Sequence, residues 1–203
     1  MAMNTVTNIA NLTPATGFLL IVLFIAVNSV VLKKKGVRFN SAQKSTVKIR
    51  GVYLLLAGLQ LVFVIEIFRP LFGFSILPEV ATNVLFNSVF LHVAGVLAIF
   101  FSVYLMKTTL QHFGASLRFG LNEINVGKLV TTGVFARSRN PFFLSLLVFF
   151  TGTALMFPSL FFIAFAIAAF AGIHFSILKE ERFLLKVYGD EYREYRCKVR
   201  RYF

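Results

Sequence analysis

Five apolar runs, each ended by charge or by proline, limit what this chain can fold into. The first extends from about Thr16 to Leu32 and stops at Lys33-Lys34-Lys35. The second covers about Gly51 to Phe68 and ends at Arg69-Pro70; the third, about Asn83 to Met106, closes at Lys107. Phe142 to Phe157 and Ser159 to Leu178 make the fourth and fifth, with Pro158 between them. Roughly 20 apolar residues in a helix cross a ~30 Å hydrocarbon core, and there only helices and closed barrels satisfy every backbone polar group. The runs therefore predict an all-α integral membrane protein with about five transmembrane helices. Only 14% of the residues are charged, against about 25% in soluble domains, so bilayer solvation accounts for the apolar excess. The fourth run has 16 residues, roughly 24 Å of helix. A tilted hairpin with the fifth, or a re-entrant element, stays open there.

Positive charge sorts the connecting segments. Of 21 Lys and Arg residues, only Arg69 lies outside segments 33–50, 107–139 and 179–201. With five spans those segments share one face, and a Lys/Arg excess marks the cytoplasmic side. The expected topology has the N-terminus outside and the C-terminus in the cytoplasm, in a prokaryotic-type inner or plasma membrane. The net charge of +13 then complements an anionic leaflet; membrane lipids are the expected partners, and nucleic acid is not. Residues 1–16 contain no Lys or Arg, so the first run reads as a retained span and not as a signal peptide. One cysteine, Cys197, excludes an intrachain disulfide, and His92, His112 and His174 lack metal-ligand spacing, so no metal is expected. Residues 1–106 form three spans, and residues 107–203 carry the chemistry.

Few polar groups interrupt the spans. Glu66 reads as a snorkelling or Arg69-paired carboxylate near the outer end of the second run. Asn28, Asn83 and Asn87 read as interhelical hydrogen-bonding groups. The dense polarity lies elsewhere. The stretch Lys107 to Asn140 holds Gly114, Gly120, Gly127 and Gly133, which permit close backbone approach to a ligand. Pro141 suits a first helical turn, and Asn140 before it is biased away from helical geometry. The free N–H groups of the helix behind them suit an anion. Glu180-Glu181 follows the fifth run directly; adjacent helical residues point about 100° apart, so at most one faces a given ligand. With Arg139 across the hairpin they suit an ammonium or ribose hydroxyls. The competing reading makes them surface partners of Lys179, Arg182 and Lys186.

The pattern Leu129-Val130-x-x-Gly133-x-Phe135-x-x-x-Arg139-Asn140-Pro141-x-Phe143 resembles a signature of the isoprenylcysteine carboxyl methyltransferase family, which includes phospholipid N-methyltransferases. So does Glu180-Glu181-x-x-Leu184-x-x-x-Tyr188-Gly189-x-x-Tyr192-x-x-Tyr195. The resemblance covers about Gly114 to Phe203. It implies a cytoplasmic S-adenosylmethionine pocket built from the loop, the Arg-x-Pro turn and the Glu pair. Leu129 and Val130 would line its adenine side, Arg139, Asn140 and Pro141 would sit by the methionine end, and Gly133, Phe135 and Phe143 would complete the cofactor-binding set. Glu180 or Glu181 would contact ribose or ammonium, and Arg139 and Glu181 would be the catalytic residues. Many members have His at the position of Asn140 and Tyr at those of Phe135 and Phe143. Asn cannot shuttle a proton near neutral pH, so no general base is assigned at 140. A carboxylate acceptor needs only a cation, from Arg139 or Arg118; an ammonium or thiol needs a base, from His112 or a Glu.

The expected function is methyl transfer to a lipophilic acceptor, isoprenylcysteine-carboxylate-like or lipid, that enters from the bilayer. A NADPH-dependent sterol-type reductase is the alternative enzyme, but Phe143-Leu144-Ser145-Leu146 lacks the acid such reductases carry there. A non-catalytic membrane scaffold is the third reading. The family's Val-Pro-Arg-like element appears here as Val199-Arg200-Arg201, without the proline. The basic tail Tyr192 to Phe203 is expected to lie on the leaflet, closure over the pocket being the other possibility.

Overall fold

The computed structural model describes residues 10–34, 47–113 and 128–203, with side chains from 54 onward in the second stretch. Its long helices are α1 (Thr13–Lys34), α2 (Val47–Ile67), α5 (Val89–Phe113), α6 (Pro141–Met156) and α7 (Leu160–Tyr188). Short helices α3 (Arg69–Phe72) and α4 (Glu79–Thr82) follow α2, a 3-10 turn spans Gly133–Ala136, and α8 (Asp190–Lys198) follows α7. All five expected spans are helices, and α1, α5 and α7 are long and apolar enough to cross a membrane by themselves. Their outward faces are apolar: Leu54 is 72% exposed and Val89 83%. In water such a surface would be unsatisfied, whereas lipid solvates it. This is an all-α integral membrane protein.

Two boundaries differ from expectation. Residues 83–88 do not begin the third span: Val84 forms an isolated antiparallel bridge with Ser159, and the Leu85 N–H donates to the Pro158 carbonyl at 2.8 Å. This stretch closes the far end of the bundle outside any helix. α7 continues ten residues past Leu178, where the apolar run stops, and so carries Glu180 and Glu181 on its polar end.

Packing centres on α5 against α6. Gly95 and Gly152 face each other there: a Cβ on Gly95 would lie 2.6 Å from the Gly152 carbonyl oxygen. Small residues allow backbones this close when lipid supplies no hydrophobic drive between helices. The Ser102 hydroxyl, fully buried, donates to the Ser145 carbonyl of α6 at 2.7 Å. That bond fills the role expected of Asn28, Asn83 and Asn87, whose side chains form no hydrogen bond among the described residues. Phe63 anchors α2, with ring centroids 4.3 Å from Phe165, 5.2 Å from Phe150 and 5.7 Å from Phe162. Offset and edge-on aromatic pairs are favourable beyond the area they bury, which gives the abundant phenylalanine a structural use. Glu66 is buried but is not paired with Arg69. Its Oε1 accepts from the Ser75 hydroxyl at 2.8 Å and from the Ile76 N–H at 3.1 Å, holding the loop after α3.

Candidate active site

Three segments distant in sequence meet at one end of the bundle: residues 128–140, α7 beyond Leu178, and residues 190–203. Leu129 and Val130 enter outside regular secondary structure, half-buried. Gly133 turns the chain with φ 64°, a value glycine adopts at little steric cost. A Cβ there would overlap the His112 imidazole, so the end of α5 packs directly on this turn. Phe135 is buried and meets Phe113 edge-on at 4.8 Å. Pro141 starts α6, as its missing N–H predicts. Asn140 precedes it with φ −131° and ψ 53°, outside the helical region, and its side chain does not cap the helix. Phe143 is half-buried in the first turn, edge-on to Phe142 at 5.8 Å.

The Asn140 amide turns instead to the C-terminal tail and donates to the Arg201 carbonyl at 3.2 Å. The Ser138 hydroxyl donates to the same oxygen at 3.3 Å, and the Arg139 N–H to the Arg200 carbonyl at 3.0 Å. The Tyr195 hydroxyl donates to the Phe135 carbonyl at 2.6 Å, and the Tyr202 hydroxyl lies 2.8 Å from His174 Nδ1. The tail is therefore bonded to the turn before α6, the closure that was the other possibility. It is strapped across the site, because its carbonyls match the donors of the turn before α6. Substituting Tyr195→Phe removes one buried hydrogen bond and leaves the Phe135 carbonyl unpaired. A loss of about 1–2 kcal/mol in unfolding free energy is expected, measurable by denaturant titration in detergent; no change would mean that the Phe135 carbonyl finds another donor.

The charged centre is Glu181, only 5% exposed. Its Oε1 accepts from Arg139 at 2.9 Å and from Arg201 Nε at 3.1 Å, while Oε2 accepts from the other arm of Arg201 at 2.9 Å. The Arg201 pair is the two-pronged geometry that a guanidinium makes with a carboxylate. Burial raises the Glu181 pKa, but the Arg201 hydrogen bond and the charges of Arg139, Arg201 and Arg196 outweigh it and hold the group below 4.5. The Arg201 guanidinium is held up in turn by its bond to Glu181. Burial pushes the Tyr192 phenol to about 12, helped by the charge on Glu181.

Glu180 differs in every respect. It is half-buried and has no hydrogen bond or ion pair among the described residues. Burial, and then the neighbouring Glu181 charge, raise its pKa. The step of about 100° between adjacent helical residues thus separates a spent carboxylate from an unspent one. The competing surface pattern does not form around Glu181, and Arg182 bonds the Leu178 carbonyl instead. Two buried polar atoms here have no partner: Arg139 Nε and the Tyr192 hydroxyl.

The structure brings together Gly133, Phe135, Arg139, Asn140, Pro141 and Glu181, with Leu129, Val130 and Phe143 on adjoining turns. Arg118, Gly114, Gly120 and Gly127 lie outside the described residues. Arg201 and Ser138 are the members sequence reasoning missed, and Tyr192, quoted in the second motif, had been given no role. For Tyr192 the spacing Tyr188, Tyr192, Tyr195 was the available signal, a helical stripe; for Arg201 there was none. The family model for phospholipid methyltransferase matches residues 90–191, from the start of α5 into α8. No curated protein matches the chain.

Proposed function

Because the chain belongs to the phospholipid methyltransferase family, we propose that it is an S-adenosylmethionine-dependent methyltransferase with a lipophilic acceptor, carboxylate-bearing or lipid, drawn from the bilayer. The donor groups present suit that cofactor. Glu180 suits its ammonium or ribose hydroxyls, Arg139 its carboxylate, and Leu129, Val130 and Phe135 its adenine. The unpartnered Arg139 Nε and Tyr192 hydroxyl are hydrogen-bonding capacity that the protein alone leaves unused. When bound, the cofactor supplies a methyl group activated by an adjacent sulfonium.

The observation that carries this reading is the division of labour between Glu180 and Glu181. Glu181 is a positioning residue: it fixes Arg139 and Arg201 and draws the tail over the site, which excludes water. Glu180 is the carboxylate free to bind. Arg139 and Arg201 together keep the site attractive to an anion, which favours a carboxylate or phosphate on the acceptor. Asn140, committed to the Arg201 carbonyl, holds the tail and moves no proton. We place this end of the bundle on the cytoplasmic side, following its excess of Lys and Arg.

Calorimetric titration of the detergent-purified protein with S-adenosylhomocysteine tests the proposal. Saturable binding is expected, weakened roughly 10- to 100-fold by Glu180→Gln, the worth of a hydrogen bond to a charged group. Saturable NADPH binding without any heat from the homocysteine product would transfer the assignment to a reductase. Silence from both would favour a scaffold.

A further inference from the structure

The end of the bundle opposite the site just described holds a cavity of about 780 Å3. Glu66, Arg69, Thr82 and Asn83 line it, above Phe157 and Phe162. Glu66 is only 3% exposed. The loop bonds from Ser75 and Ile76 both use its Oε1, and Oε2 receives no hydrogen bond among the described residues. Thr82 is 8% exposed, and its hydroxyl is buried without a partner. Arg69 is half-buried and forms no ion pair among the described residues. One cavity thus contains an unspent carboxylate oxygen, an unspent hydroxyl and an unspent guanidinium.

Leaving buried polar groups unpaired is costly, so such a set implies a ligand that brings the missing hydrogen bonds. The charges select its type. A simple anion meets Glu66, and a simple cation meets Arg69; a molecule with both charges satisfies each. The surroundings select its source. Leu71, Phe72 and Phe74, on the stretch that follows Arg69, are 53%, 67% and 53% exposed, an apolar rim at the end of the helices that suits acyl chains beside a headgroup. We propose that this cavity binds the headgroup of a primary-amine phospholipid. The ammonium donates to Glu66, and the phosphate accepts from Arg69 and Thr82. A choline headgroup fits less well, because its quaternary nitrogen has no hydrogen to give Glu66. This site is independent of the methyl-transfer reading and lies at the other end of α6 from it.

Native mass spectrometry of the full chain tests the proposal, with phosphatidylethanolamine, phosphatidylcholine or phosphatidylglycerol added to the detergent. The parent protein is expected to retain one phosphatidylethanolamine with about a tenfold preference over the other two, the scale of one hydrogen bond to a charged group. Glu66→Gln keeps an acceptor oxygen for Ser75 and Ile76 while removing the charge, and Arg69→Gln changes a half-buried lining side chain that forms no ion pair among the described residues. Each is expected to erase the preference. Arg69→Gln decides the question alone if Glu66→Gln fails to fold. Equal retention of the three lipids overturns the proposal, as does a preference that survives both variants, which would place the lipid elsewhere. Displacement by soluble phosphoethanolamine at the same concentration would show that the cavity serves a soluble aminophosphate, and would overturn the lipid assignment.

Discussion

In a Glu181→Ala variant, trypsin is expected to cleave the C-terminal tail at Arg200 and Arg201 at least about 100-fold faster than in the parent protein, with binding of S-adenosylhomocysteine lost as well. Three hydrogen bonds converge on that carboxylate. Its removal leaves Arg139, whose side chain is 8% exposed, as a buried charge with no counter-charge. Removing one partner of a buried pair costs roughly 3–5 kcal/mol. Arg201, at 30% side-chain exposure, recovers water when freed, so the lower end applies. About 3 kcal/mol in the docking equilibrium of the tail is about 100-fold in its open population, and proteolysis of a rapidly opening segment follows that population. Glu181→Gln retains one acceptor oxygen and should fall between the two. Acid should reproduce the effect. The folded-state pKa of Glu181 is lowered from 4.5, so its contribution is complete above that value and disappears as pH falls through the lowered one. Cleavage unchanged in Glu181→Ala would mean that the backbone bonds to Ser138, Arg139 and Asn140 alone hold the tail.

The tail also shows where sequence reasoning ran out. The apolar runs located every long helix among the described residues, because bilayer thickness and backbone hydrogen bonding act over contiguous residues. The Arg139 and Glu180-Glu181 motifs were legible for a related reason: each borders a span, and one hairpin brings them together. Residues 83–88 misled because Val84, Leu85 and Phe86 are as apolar as a helix start, while the contact that holds them outside the helix comes from Pro158 and Ser159. Arg201 misled differently. Counted as one basic residue among many, it favoured the leaflet; its partner, Glu181, lies across a helix end, and no local pattern announces it. Glu180 and Glu181 could not be told apart in sequence, since helix phase relative to α6 and the tail decides which is spent.

The second large effect concerns the frame that holds this site. Gly95→Val is expected to lower the unfolding free energy by at least about 3 kcal/mol and to abolish cofactor binding, although residue 95 touches no site residue. A Cβ at 95 would lie 2.6 Å from the Gly152 carbonyl oxygen and 2.9 Å from the Met156 backbone nitrogen. Neither atom belongs to a side chain that could rotate away, so the helices themselves must separate. Overpacking in a tight core costs typically 1–3 kcal/mol, and the branched residue against two backbone atoms belongs at or beyond the top of that range. Separation would also lengthen the Ser102 hydroxyl bond to the Ser145 carbonyl, now 2.7 Å, and shift the end of α5 that seats His112 on Gly133. The turn before α6 is registered by that contact, and Arg139 hangs from the turn. A reconstituted Gly95→Ser variant, with one fewer heavy atom and a donor of its own, should lose less stability and retain part of the binding. If Gly95→Val melted like the parent protein in thermal unfolding by circular dichroism, the close crossing of α5 and α6 would not be what positions the site.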